Sequence, residues 1–417
     1  MTSSSPVVIV GGGPGGAATA IFLADAGIGS VIIERAAFPR FSIGEALTGS
    51  AGKLLRRMGL GDALMEQRHP VKNGATVFGA NGRTAFQVPA VDLLDDGVRR
   101  PTESWQVRRA DFDKLLLDTA VARGAQLVSS RARDVIRDAS GAVTGVVIED
   151  TENGTGAVIE ASMVVDASGM QCFLHNLSVT GAKERGRYDA QVAVFCHLEG
   201  TDRNPGAVLA PAQVNNTVLF YAARHHWAWF IPVDDDVVSI GIVVPTATFR
   251  SEGATPAAFF EKQLQELNPA LAARVTNAAA VRPVEIVRNF SYRIREFVGP
   301  GWACVGDSHR FIDPFFAFGV HFALFEGRMV ADAIADYLEQ RDVAALLDFQ
   351  RRADAAQDVV QDLIDAFWNQ PLAFGYLIDR KHRDDLIDIF AGRIYDIDTP
   401  SPGLLALRQI NAHAAAE

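Results

Sequence analysis

Gly11, Gly13 and Gly16 stand in G-x-G-x-x-G spacing, directly after the apolar run Val7 to Val10 and ahead of a small and apolar segment that reaches Ala26. Glycine at these points lets the backbone turn sharply, approach a pyrophosphate and pack the following helix on a sheet. A diphosphate would sit at the helix N-terminus, where unpaired N–H groups and the helix dipole favour an anion. Glu34 follows 21 residues after Gly13, at the end of a second strand formed by Val31 to Ile33. Its carboxylate can there accept hydrogen bonds from an adenosine ribose. Strand, turn, helix, strand and acid together predict a dinucleotide site, and the acid disfavours a 2′-phosphate, so FAD or NAD fits better than NADP.

Two further carboxylates end apolar runs: Asp166 in MVVDASG and Asp307 in WACVGD. Both runs read as buried strands, and open α/β sheets bind ligands outside the carboxyl ends of their strands. Trp227 and Trp229 lie two apart in an extended segment, so both face one side of it. Core packing alone is the usual fate of such a pair. Cations are unevenly divided: of 39, only six are lysines (Lys53, Lys72, Lys114, Lys183, Lys262 and Lys381).

The elements that must position these groups follow from periodicity. A helix is expected over Leu47 to Leu60, a hairpin over Ala75 to Val88 with Gly82 at its turn, and a helix after Trp105 to Asp113 with Phe112, Leu115, Leu116 and Thr119 as its buried stripe. Gln126 to Ser129 is another strand, and Ala132 to Asp150 alternates as β structure with turns at Ser140-Gly141 and Asn153-Gly154. From Tyr188 to Val244 strands follow one another without helices and suit an antiparallel sheet. Val320 to Tyr337 reads as a long helix, and helical patterning continues to about Phe390. A break at Pro400 and Pro402 and a frayed end at Ala414 to Glu417 close the chain. The fold class is therefore α/β: a Rossmann-like FAD-binding domain (1–180 and 290–335), an inserted antiparallel β-sheet substrate domain (181–289) that residues 75–105 join, and a helical C-terminal region (336–417).

Composition sets limits. The chain has 417 residues, 48% hydrophobic and 21% charged, which is ordinary globular usage with room for two or three domains. A net charge of -11 argues against a broad nucleic-acid surface. No apolar run reaches membrane-spanning length, and the polar start MTSSSP carries neither basic region nor cleavage site, so a cytoplasmic location is expected. Cys172, Cys196 and Cys304 are too scattered for a disulfide framework, and the nine histidines show no H-E-x-x-H or H-x-x-x-H pattern, so no metal is expected.

The glycine turn with its acid, V-x-R-x-x-F-D at Val107 to Asp113, DASG at Asp166 to Gly169 and GDSHRFIDP at Gly306 to Pro314 together resemble the FAD-dependent oxidoreductases of the aromatic-hydroxylase superfamily. The resemblance covers roughly residues 5 to 335. It implies FAD held by Gly11, Gly13, Gly16, Glu34, Arg35, Arg109, Asp166, Asp307, Pro314 and Gly319. Trp227-Ala228-Trp229-Phe230-Ile231-Pro232 fits W-x-W-x-I-P, which is similar to the signature of flavin-dependent halogenases of the phenol and pyrrole type. In that family the tryptophan wall shields the flavin, backbone N–H groups at positions matching Phe318 and Gly319 bind halide, and a lysine matching Lys72 receives hypohalous acid. An amine can hydrogen-bond that oxidant or form a haloamine, which arginine cannot readily do. The resemblance implies reduced FAD from a separate flavin reductase, with O2 and chloride or bromide as co-substrates. The substrate would be a small electron-rich aromatic, free or tethered to an acyl or peptidyl carrier protein, in antibiotic-type secondary metabolism. Ala317 and Phe318 stand where small hydroxyl residues are common, and Ala46 where serine is frequent. A flavin monooxygenase or dehydrogenase without halide use, and a non-catalytic flavin-binding protein, stay open on these residues. Arg380, Lys381, His382 and Arg383 form a cationic run near Phe367, Trp368, Phe374 and Tyr376, which read either as a pocket cover or as helix packing.

Overall fold

The computed structural model describes residues 5–94, 97–149, 156–188, 190–288, 290–396 and 398–414; the turn expected at Asn153-Gly154 and the last three residues of the expected frayed end lie outside them. A six-stranded sheet runs in the order Val298–Gly299, Trp302–Cys304, Met163–Asp166, Val7–Val10, Ser30–Glu34, Gln126–Ser129. Its pairings are parallel except at the Val298–Gly299 edge. Val7–Val10 is buried at every position, hence its unbroken apolar sequence in place of alternation. The following helix, Pro14–Asp25, opens with proline, whose missing N–H costs nothing in a first turn.

That helix crosses the long helix Gly319–Gln340 over small residues. A Cβ on Gly327 would lie 2.9 Å from the Gly15 carbonyl oxygen and 3.0 Å from the Ala18 Cβ. Only glycine lets the two backbones come this close. The helix Arg109–Ala122 packs against Pro14–Asp25 and buries Phe112, Leu116, Leu117 and Ala120. Its buried face is thus turned relative to the expected stripe, with Leu115 and Thr119 half-buried, because Asp113 also faces inward, where it meets Arg109.

A second sheet runs Ala279–Ala280, Gln191–Glu199, Val238–Pro245, His226–Pro232, Thr217–Ala223, Gly74–Phe78, Thr84–Pro89, and Glu285–Arg288 also pairs with Gln191–Glu199. The four strands between Gln191 and Pro245 pair antiparallel, whereas Gly74–Phe78 joins parallel to Thr217–Ala223. The hairpin around Gly82 thus reaches this sheet from the N-terminal half of the chain. Alternation along His226–Pro232 sends Trp227, Trp229 and Ile231 to one core and Ala228 and Phe230 to another. The first of these cores is closed by the C-terminal helices, chiefly Ala344–Asn369, Pro371–Tyr376 and Arg383–Phe390. A last helix, Pro402–Ala414, follows the Pro400 break.

Trp229 lies opposite Gly241 in the ladder, and its indole crosses the glycine: a Cβ there would meet the ring at 2.1 Å. Gly241→Ala must displace the indole. We expect a loss of about 1–3 kcal/mol, the usual cost of overpacking, read as a lower denaturant midpoint together with altered tryptophan fluorescence; an unchanged midpoint would contradict this packing.

Candidate active site

The two sheets and the long helix enclose a cavity of about 570 Å³. Gly11, Gly13, Glu34 and Arg35 reach it from the parallel sheet, and Leu219, Trp227 and Trp229 from the other. Gly11 has φ +108°, and a Cβ on it would press the Ala167 carbonyl oxygen at 2.5 Å. A Cβ on Gly16 would lie 1.9 Å from the Gly11 carbonyl oxygen, so Gly16 shapes the turn from behind. Gly13 is different: only the Arg40 Nη2, at 3.5 Å, comes near its Cβ position, which leaves its backbone open to an anion beside the helix N-terminus. Glu34 accepts from the Gly12 and Ala36 N–H groups, each at 2.8 Å, and keeps lone pairs on both oxygens for a ribose. The residues present therefore fit the adenosine diphosphate half of FAD.

Arg109 lies in the cavity wall, but its fork is already used. Nε and Nη2 donate to Asp113 at 2.6 and 2.9 Å, and Nη1 donates to the Ile43 and Gly44 carbonyls. Burial alone would lower its pKa, yet the Asp113 carboxylate outweighs that and raises it. The side chain thus clamps the 43–44 loop to the helix and leaves no free pair of N–H groups for a phosphate. Asp166 is fully buried and is not in the cavity wall. Its oxygens accept from the Ser168 and Leu174 N–H groups at 2.9 and 2.8 Å, so it folds the turn behind the wall. Asp307 does face the cavity; burial pushes its carboxyl up to about 6, against the pull of the Arg109 charge.

Pro314, Phe318 and Gly319 complete this part of the wall. Gly319 begins the 22-residue helix, whose first-turn N–H groups have no intrahelical acceptor. Ala317, just before it, holds left-handed backbone at φ +58°, a conformation that costs a non-glycine residue about 1 kcal/mol or more. Trp227 and Trp229 stand side by side at 5.9 Å between ring centroids, and Trp227 meets Phe315 edge-on at 4.7 Å. Trp229 is fixed by its Nε1–H donating to the Ser239 Oγ at 3.1 Å.

Lys72 does not line the cavity. The short strand Val71–Lys72 pairs with Ser104–Trp105 and buries the side chain to 9% exposure, where Nζ donates to the Leu47 carbonyl at 3.0 Å. Leu47 adjoins Ala46, a wall residue, so the amine sits one backbone unit behind the surface. Burial lowers its pKa to about 8.

Three buried groups escaped the sequence reading. Glu326 accepts from the Gly306 N–H at 2.6 Å, His309 Nε2 lies 2.9 Å from it, and Gln357 donates to it at 2.7 Å. Burial pushes Glu326 up, but His309 and these donors outweigh it and hold the carboxyl low. An acid placed directly after the apolar stretch Phe322 to Phe325 was the available signal. Glu45 lines the cavity, holds His197 Nε2 at 2.7 Å and leaves Oε2 without a partner. Asp313 accepts from the Phe315 N–H at 2.8 Å, leaves Oδ2 unpartnered, and is pushed by burial up to about 7. Among the described residues no cluster of three or more His, Cys, Asp or Glu suits a metal ion.

A family model described as an FAD binding domain matches residues 4–363. The chain is 35% identical over 399 residues to a brominase of 1H-pyrrole-2-carbonyl groups on a peptidyl-carrier protein from Pseudoalteromonas luteoviolacea, covering 95% of this chain and 93% of the relative. It belongs to the flavin-dependent halogenases of the FAD-binding family. A chlorinase of the same carrier-bound group from Pseudomonas fluorescens is 27% identical, with 93% and 89% covered. The solved structure of a flavin-dependent brominase superposes with a TM-score of 0.91 at 32% identity over 100% of both chains. The enzyme thus uses FAD as FADH2, with O2 and halide as co-substrates, on an electron-rich aromatic ring, and the non-catalytic and halide-free readings fall away.

Asp313 gives this halogenase a pH signature. Its folded pKa, about 7, lies above the unfolded value of 3.8, so the fold holds more protons than the unfolded chain between these limits and stability falls as pH rises through that window. Asp313→Asn removes the titration. Urea midpoints of the apo-protein should converge or cross between wild type and variant as pH rises from about 4 to about 7; a constant offset would exclude a raised pKa.

Proposed function

We propose that this halogenase acts on a pyrrole ring carried as an acyl group on a peptidyl-carrier protein, in the cytoplasm. The observation that carries the substrate is the 35% identity, over 95% of the chain, with a brominase named for that group. No helix among the described residues is long and apolar enough to cross a membrane, in keeping with that location. Reduced by a separate flavin reductase and bound in this cavity, FAD would supply hypohalous acid from O2 and halide.

The chain's own residues divide the remaining work. Gly13 and the first turn of Pro14–Asp25 hold the diphosphate, Gly11 and Gly16 shape that turn, Glu34 holds the ribose, and Arg35 and Arg40 add positive charge at the rim. Asp307 accepts from ribityl hydroxyls, while Pro314 shapes the adjoining wall. Arg109 and Asp166 serve by position, clamping the 43–44 loop and the 167–174 turn. Backbone N–H groups at Phe318 and Gly319, at the positive end of a long helix, attract halide, a role that requires no hydroxyl side chain. Trp227 and Trp229 keep the aromatic substrate from the flavin and exclude water.

Lys72 presents the electrophilic halogen to the ring. Its amine is the form that bonds to halogen, and burial brings that form within reach of neutral pH. Lys72→Ala should bind FAD as wild type does and still consume FADH2, yet lose halogenated product by at least about 10²-fold, the scale for loss of a positioned reacting group. Product mass with bromide and a pyrrolyl-loaded carrier is the measurement, and retained bromination would rule out this role.

A further inference from the structure

Leu372 is the most exposed large apolar side chain among the described residues, at 91%. Tyr376, one helical turn on in Pro371–Tyr376, is 59% exposed. Spacing of four puts both on one face of the helix. The chain then makes a π-helical turn, Leu377–Lys381, which brings Arg380 and Lys381 to the surface beside Arg383. None of these three cations has an ion-pair partner within the described residues, whereas nearby Arg99 holds Asp384 and Asp388 and His382 faces Asp385. Asp379 is the remaining exposed acid in the turn. On the other flank Arg224 is positioned by donating to Asn369, two residues from Pro371. Here an acidic protein, net charge -11, displays an apolar pair ringed by cations.

The inner face of the same helix points toward the active site. Phe374 is buried against Phe316 and Phe367, and Phe315 touches both of these while lining the cavity. Between the patch and the cavity lie Phe374, then Phe316 and Phe367, then Phe315, a continuous stack of aromatic rings.

We propose that Leu372 and Tyr376, with Arg224, Arg380, Lys381 and Arg383, form the docking surface for the carrier protein, which meets them with an acidic face bearing an apolar side chain. This rests on the carrier-tethered substrate proposed above. Apolar anchors supply the contact area, and the unpaired cations steer an acidic partner and set its orientation. A tethered substrate bound here has its acyl arm beside the aromatic stack that leads inward. Leu372, exposed in the free enzyme, is desolvated in the complex.

The test uses the holoenzyme with a flavin reductase, bromide and a pyrrolyl-loaded carrier, compared with a free pyrrole amide. In a Leu372→Ser, Arg380→Glu, Lys381→Glu variant, FAD binding and FADH2 consumption should be unchanged, while KM for the loaded carrier rises roughly tenfold or more. In wild type the same KM should rise with ionic strength, and in the variant that dependence should flatten or reverse. If wild type turns over the free ring but never the loaded carrier, the substrate reading fails. If wild type turns over the loaded carrier and the variant matches its KM and salt dependence, the docking surface is wrong. A change in the enzyme's own oligomeric state on patch substitution would likewise overturn it, by making the patch a contact between two copies of this chain.

Discussion

The close crossing of Pro14–Asp25 and Gly319–Gln340 governs the rest of the structure. Gly15, Ala18 and Gly327 leave so little between the backbones that a single added methyl would strike a carbonyl at 2.9 Å. Two helix N-termini are thereby brought to one cavity, and each carries partial positive charge and unpaired N–H groups. The ligands proposed for this cavity, a dinucleotide and a halide, are both anionic, and positive ends built from backbone suit both without mobile side chains. This also accounts for a chain that uses arginine freely yet commits Arg109 to Asp113 and to two carbonyls.

Glu326 extends that constraint to the other end of the chain. From inside the long helix it binds the Gly306 N–H at the strand end, His309 beyond it and Gln357 on Ala344–Asn369. A buried carboxylate is tolerable only with such partners, and once they are in place it specifies a single arrangement of three elements. The strand end that presents Asp307 is consequently locked to the helix that roofs the aromatic core. The C-terminal helices are in this sense part of the active-site wall.

Legibility in the sequence followed the physics of each element. The first strand, the glycine turn and Glu34 could be read because they act locally, through backbone shape over some thirty residues. Trp227 and Trp229 could be read because a strand has period two. Side chains whose partners lie far along the chain could not. Asp166 resembles a ligand-binding acid in a DASG motif, but only the fold reveals that it sits behind the cavity wall, accepting from Ser168 and Leu174. Arg109 misleads in the same way, since the inward turn of Asp113 is set by helix packing. Glu326 reads like Asp332 and Asp336 of the same helix, and its three partners span residues 306 to 357.

The placement of Lys72 reconciles two demands that pull in opposite directions. The role proposed for it needs an amine with a free lone pair that the oxidant can reach, whereas a lysine open to water is held as ammonium, which has none. Burial behind Ala46 and Leu47 lowers the pKa toward the working range, and the absence of any carboxylate partner among the described residues keeps it there. A nearby acid would favour the ammonium form and work against the proposed role. The single hydrogen bond to the Leu47 carbonyl fixes direction without adding charge. An arginine in this place would stay protonated however deeply it was buried, because its pKa lies too high for burial to bring near neutrality. A sealed lysine in a chain whose solvated cations are overwhelmingly arginine therefore suits the role proposed for it.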